Sequence, residues 1–240
     1  NITKIPSALI TDKELTRYAR DNFDNLIIST GMSTEEEIKE CIINCNPDVI
    51  MNTNSSYPAP NNELNLDYIT WLKEKYPNIE IYGPRDSNFS FPYKAVSEGE
   101  EFKVDGTSMN FKVLETPGHT LDHIVYINES NLFCGDTLFA CGCGRIFEGT
   151  YNQMFESLQK FKKLDAEMKV FCAHEYTVKN IEFALSLNPT NKKLLNRLKS
   201  CLNQEVTLPS SLKEEFETNP FLLAKDVNQF KEIRQQKDVF

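Results

Sequence analysis

Apolar positions along this chain follow two rhythms. From Lys4 to Tyr76, short β-like runs alternate with amphipathic helical stretches: KIPSALI then DKELTRYARDN, NLIIST then a helix opening at Ser33 with a capping box to Glu36, and VIMNTN then LDYITWLKEKY. Strand, helix and strand at such short spacing predict a parallel sheet. Beyond Ile81 the apolar runs FKVLE, NLFC and KVFCA each lead into a polar motif: TPGHT (116–120), GDTLF (135–139) and HEYT (174–177). The glycine-rich GCGRIFEG (142–149) lies between the last two. Met154–Leu164, Val178–Leu187 and Lys192–Leu202 have helical periodicity, with Pro189 punctuating the last pair. The sequence contains no internal repeat, low-complexity tract or long linker, so the two rhythms abut within KEKYPNIEI (73–81).

The chemistry sits in the second rhythm. His119, Asp136 and His174 are each expected where a strand ends and a loop begins, with a Pro-Gly turn before His119 allowing a tight backbone path. Two imidazoles and a carboxylate are donors that zinc, iron or manganese accept. The third histidine, His123, opens the strand-like run HIVYI and reads as a hydrogen-bonded core imidazole. Cys141 and Cys143 form a lone CxC, a weak metal signal. Cys41 and Cys45, four apart on a helix, and Cys134 and Cys172 in strand-like runs, read as small buried apolar residues.

TPGHT, GDTLF, GCGRIFEG and HEYT, in this order and spacing, resemble glyoxalase II, the hydroxyacylglutathione hydrolase branch of the metallo-β-lactamase superfamily. The resemblance runs from about Tyr76 to Phe240 and includes VTLPSSLKEEFETNPFL (206–222) and FKEIRQQKDVF (230–240). It implies a hydrolase of glutathione thiolesters in which a metal pair activates a bridging water. His119 and His174 would each hold one metal, and Asp136 would bridge both as the catalytic carboxylate. Arg145, Phe147, Tyr176, Arg234 and Lys237 match positions that grip glutathione. Arg234 and Lys237, three apart, would present both cations from one helical face. Phe147 stands where a tyrosine is usual. The family's upstream THxHxDH block has no counterpart: MNTNSSYPAPNNE (51–63) stands in its place without His or Asp, and the chain has three histidines in all. Impaired hydrolysis and a sub-stoichiometric metal, compared with a dinuclear site, are therefore expected. A non-catalytic glutathione-binding module is the alternative.

KIPSALIT, IISTGMSTEEEI and NTNSSYPAPNNELNL are similar to the middle of the sialic acid synthase (N-acetylneuraminate synthase) barrel, which condenses phosphoenolpyruvate with N-acetylmannosamine. In a (β/α)8 barrel the chemistry lies at the carboxyl ends of the strands. The resemblance places Lys4, Ser7 and Ser29 on the phosphoenolpyruvate oxygens and Tyr57 on the sugar, with Ser55 nearby. A fragment of a carboxyvinyl-transfer enzyme is a further alternative. The expected fold is α/β: a partial (β/α) barrel-like segment (1–76), an incomplete metallo-β-lactamase-like αββα half domain (77–176) and a helical C-terminal region (177–240). A natural fusion, a glutathione-binding pseudoenzyme and an artificial joining of two genes are all compatible with this composite. The segments before Tyr76 would have to cover the strands around Phe111–Val113 and Ile124–Ile127, which predicts a loosely packed N-terminal region.

Global properties narrow the field. A formal charge of −9 over 240 residues argues against a general nucleic-acid binder. A 40% hydrophobic content can build a core, and no apolar run approaches a membrane span. Seven cysteines without a signal-peptide pattern fit a reducing, cytoplasmic setting.

Overall fold

The computed structural model describes residues 1–31, 33–52, 67–75, 77–85, 87, 89, 91–204 and 206–240. The chain divides into two compact units: residues 1–81, 89–94 and 103–109 in the first, and 82–88, 95–102 and 110–240 in the second.

In the first unit, strand β1 (Ile2–Ile5), helix α1 (Lys13–Asn22), β2 (Asn25–Ser29), α2 (Glu35–Cys45), β3 (Val49–Met51) and α3 (Asp67–Lys75) follow one another. The three strands form a parallel sheet in the order β1-β2-β3, as the alternation predicts. Every residue of β2 is buried, because a central parallel strand is covered on both faces. Asp12 caps α1 by accepting from the amides of Glu14 and Leu15. On α2, Ile38, Cys41, Ile42 and Cys45 recur at the helical period and pack with Ile5, Leu26 and Ile28.

Two local expectations need correction. The α2 capping box is Thr34 with Glu37, one residue beyond the Ser33–Glu36 pair, and the Ser33 hydroxyl instead donates to the Gly31 carbonyl. The run KIPSALI is not one strand either. β1 stops at Ile5, Pro6 follows, and Ser7–Leu9 is a 3₁₀ turn, so Ser7 lies in a turn beyond the strand end.

The second unit holds β4 (Tyr82–Pro84), β5 (Lys94–Val96), β6 (Glu101–Lys103), β7 (Asn110–Glu115), β8 (Ile124–Asn128), β9 (Asn131–Gly135), β10 (Leu138–Phe139), β11 (Gly142–Cys143), α4 (Tyr151–Phe161), β12 (Lys169–Cys172), α5 (Thr177–Leu187), α6 (Lys192–Cys201), β13 (Ser210–Ser211), α7 (Leu212–Thr218) and α8 (Val227–Val239). Lys94 and Lys103, at strand ends, fall in the first unit. Six strands form one sheet in the order β13-β12-β9-β8-β7-β6. β7 and β9 are both antiparallel to β8, and β12 is parallel to β9. Hence β7, β9 and β12 run the same way and end on the same edge. Leu132, Cys134, Val170, Met154, Leu158, Phe161, Phe221 and Phe230 form the core between sheet and helices. Helix α4 begins at Tyr151, earlier than its apolar periodicity predicts, because Thr150 and Gln153 form a capping box.

Candidate functional site

The common edge gathers the three residues that the motifs single out. His119 follows β7, Asp136 follows β9 and His174 lies just beyond β12. Cys172 pairs with Gly135, and the Ala173 amide donates to the Gly135 carbonyl at 3.0 Å, so Asp136 and His174 emerge side by side. Their Oδ1 and Nε2 atoms lie 3.2 Å apart. The contact has ion-pair length without hydrogen-bond alignment, and Asp136 Oδ1 is buried without a hydrogen-bonded partner among the described residues. Burial opposes ionisation of Asp136, but nearby His174, His119 and His123 outweigh it and hold the carboxyl below its ordinary value.

His123 explains how Asp136 is held. Its Nε2 accepts the Asp136 amide at 3.2 Å, while Nδ1 lies 3.0 Å from both the Thr116 and the Thr137 hydroxyls. An Nε2 that accepts leaves the ring proton on Nδ1. Desolvation drives the imidazole pKa down to about 4, so at neutral pH the ring is uncharged; it is hydrogen-bonded as expected, but half-buried and not fully in the core. Gly135 makes the close approach possible: it has φ +50°, and a Cβ there would lie 2.9 Å from His123 Nε2.

The glycine-rich loop closes over His119. His119 Nδ1 donates to the Arg145 carbonyl at 2.8 Å, which leaves Nε2 as the ring's lone-pair nitrogen. The Phe147 amide donates to the His119 carbonyl at 3.1 Å, and the Phe147 ring lies 5.0 Å from the imidazole. Tyr176 stacks on His174 at 4.9 Å. Phe147 and Tyr176 are both exposed, so the two histidines are flanked by accessible aromatic surface.

The C-terminal cations differ from expectation. Arg234 is 4% exposed: its Nη1 donates to the Cys143 carbonyl at 2.9 Å, its Nη2 lies 3.0 Å from Asp238, and its guanidinium sits over Phe221. It braces the protein interior and does not present a cation to solvent. Lys237 is half-buried, donates to the Lys179 carbonyl and lies over Phe183. Burial and then Arg234 push its amine down to about 8. Arg145 is the exposed cation of the group, 3.6 Å from Asp238.

Several supporting residues escaped the sequence reading. Buried Glu215 accepts the Cys141 amide at 2.7 Å and pairs with Arg197 at 2.5 Å, while Asn219 donates to the carbonyls of Phe139 and Gly142. Together they fix the β10-β11 turn that begins the glycine-rich loop. Arg197 carried a signal, since it falls in phase with Leu194 and Cys201 on the buried face of α6. In the first unit, Ser29 ends β2, and its buried hydroxyl has no partner among the described residues. Lys4 lies within β1. Ser55 and Tyr57 lie outside the described residues.

The donor types of His119, Asp136 and His174 suit a divalent ion, but their placement does not. Among the described residues, no group of three His, Cys, Asp or Glu side chains is disposed to hold a metal, the CxC cysteines included.

The fold and the edge site together define an α/β domain whose six-stranded sheet carries its polar motifs at one edge. The structure resembles the crystal structure of ETHE1 from Myxococcus xanthus, with TM-score 0.57 and 21% identity over 98% of this chain and 79% of that one. A family model described as hydroxyacylglutathione hydrolase C-terminus matches residues 175–240, and a NeuB family model matches residues 1–102. Hydroxyacylglutathione hydrolase from Xanthomonas campestris pv. campestris (strain B100) is 40% identical over 191 residues, 70% of this chain and 74% of that protein. The Pseudoalteromonas translucida (strain TAC 125) enzyme of the same name is 43% identical over 162 residues, 65% of this chain and 62% of that protein. The chain belongs to the hydroxyacylglutathione hydrolase family.

Proposed function

We propose that this chain is a glyoxalase II-like hydrolase of glutathione thiolesters whose hydrolytic step is impaired and whose retained capacity is binding the thiolester. One contrast supports this reading. The walls around His119 and His174 are built, with Phe147, Tyr176 and exposed Arg145 in place, while the described residues assemble no three-donor metal cage. The family implies a divalent metal such as zinc, iron or manganese, and the missing THxHxDH donors account for the mismatch. In the retained half, the exposed rings would pack against the thiolester body and Arg145 would attract a peptide carboxylate. The Asp136–His174 pair would face the acyl end.

The test is S-lactoylglutathione hydrolysis by protein supplied with zinc, iron or manganese, alongside calorimetry with glutathione and a non-hydrolysable S-alkyl glutathione. Turnover is expected at least about a hundredfold below that of a relative with the full ligand set. Binding should be salt-sensitive. Ordinary turnover that disappears in His174→Ala would refute impairment, and the absence of binding heat at millimolar ligand would refute retained recognition. Carboxyvinyl transfer by the first unit is not the reading adopted, because the chain's three histidines all lie in the second unit and leave the first without the metal-binding histidines of the synthase.

A further inference from the structure

Asp238 Oδ1 lies 3.0 Å from Arg234 Nη2 and 3.6 Å from Arg145 Nε. The two guanidiniums are not equivalent. Arg234 is clamped by the Cys143 carbonyl and the Phe221 ring, and its side chain is 5% exposed, against 54% for Arg145. Coulomb attraction strengthens at short range and in low dielectric and weakens where water screens it. One carboxylate shared by two cations on these terms stays with the buried partner and yields the exposed one.

Resting on the thiolester-binding reading above, we infer that Asp238 is a resident counter-ion competing with the ligand carboxylate for Arg145, and thereby limits the affinity of this site for anionic thiolesters. The carboxylate partly cancels the field of the cation that an arriving anion meets. Its place on α8, four residues after Arg234, keeps it there whether or not ligand is bound. Lys237 supplies less compensation than an exposed lysine would, since its ammonium is already engaged by the Lys179 carbonyl and the Phe183 face.

Asp238→Asn removes the charge and keeps an oxygen that can accept from Arg234 Nη2, so the buried guanidinium retains a partner. Calorimetry of S-hexylglutathione and of its dimethyl ester, against the parent, Asp238→Asn, Asp238→Glu, Arg145→Gln and the Asp238→Asn/Arg145→Gln double variant, tests the inference. Asp238→Asn should bind the free acid roughly two- to fivefold more tightly, with a steeper loss at high salt, the size expected for an exposed ion pair. The gain should be absent for the dimethyl ester, absent from the double variant, and absent from Asp238→Glu, which keeps the charge. Unchanged or weaker binding by Asp238→Asn, or an equal gain for acid and ester, overturns the inference while parent binding upholds the thiolester reading. If neither the parent nor Asp238→Asn binds the free acid at millimolar concentration, both fail.

Discussion

His123 shows how one side chain can organise a site without facing a ligand. It receives the Asp136 amide on one nitrogen and meets two threonine hydroxyls on the other. His123→Leu keeps apolar bulk but strands an amide and disturbs both hydroxyls. Unsatisfied buried groups cost about 1–3 kcal/mol each. The variant should therefore lose roughly 2–4 kcal/mol, read as a lower urea midpoint at unchanged slope. Loss below about 0.5 kcal/mol would show that the imidazole holds nothing. A hydrogen-bonded structural role for His123 was legible in the chain, because it opens the apolar run HIVYI. Its hold on Asp136 was not legible, because that contact joins residues thirteen apart through the end of a different strand. The same limit applies to the burial of Arg234: i,i+3 spacing shows that two cations share a helix face, but not whether that face meets water or the Cys143 carbonyl.

At the scale of elements, the glycine-rich loop depends on helices far along the chain. Glu215 on α7 is fully buried and joins Arg197 on α6 to the Cys141 amide, while Asn219 beside it holds the carbonyls of Phe139 and Gly142. Removing one partner of a buried ion pair leaves an uncompensated charge and costs about 3–5 kcal/mol. Glu215→Ala should therefore unfold at markedly lower denaturant than Glu214→Ala, whose partly exposed carboxylate lies 3.2 Å from the same guanidinium. Equal midpoints for the two variants would refute the clip. Strand positions and the convergence of His119, Asp136 and His174 were legible, because apolar runs ending in TPGHT, GDTLF and HEYT each stop at one sheet edge. The clip was not legible: Glu215 reads as one more acidic residue in KEEFET until the fold buries it.

For the whole molecule, the two units have separate cores of unequal size. The first is built from Ile5, Ile10, Leu26, Ile28, Ile38 and their neighbours around three parallel strands. The second is built from a six-stranded sheet packed against helices with Phe161, Phe183, Phe221 and Phe230 fully buried. Small cores bury a smaller fraction of their chain and are correspondingly marginal. Opening free energies should therefore differ between the units. Native-state hydrogen exchange should find β9 and β12 the slowest amides, exchanging only in global opening. The amides of β2, the best paired strand of the first sheet, should exchange faster by at least an order of magnitude, about 1.4 kcal/mol. In Glu215→Ala the second unit weakens, so the amides of β9 and β12 should lose protection while those of β2 keep theirs. Equal protection of β2 and β9, falling together in Glu215→Ala, would instead show one cooperative structure. The sialic acid synthase-like stretch would then be an integral part of the hydrolase-family fold.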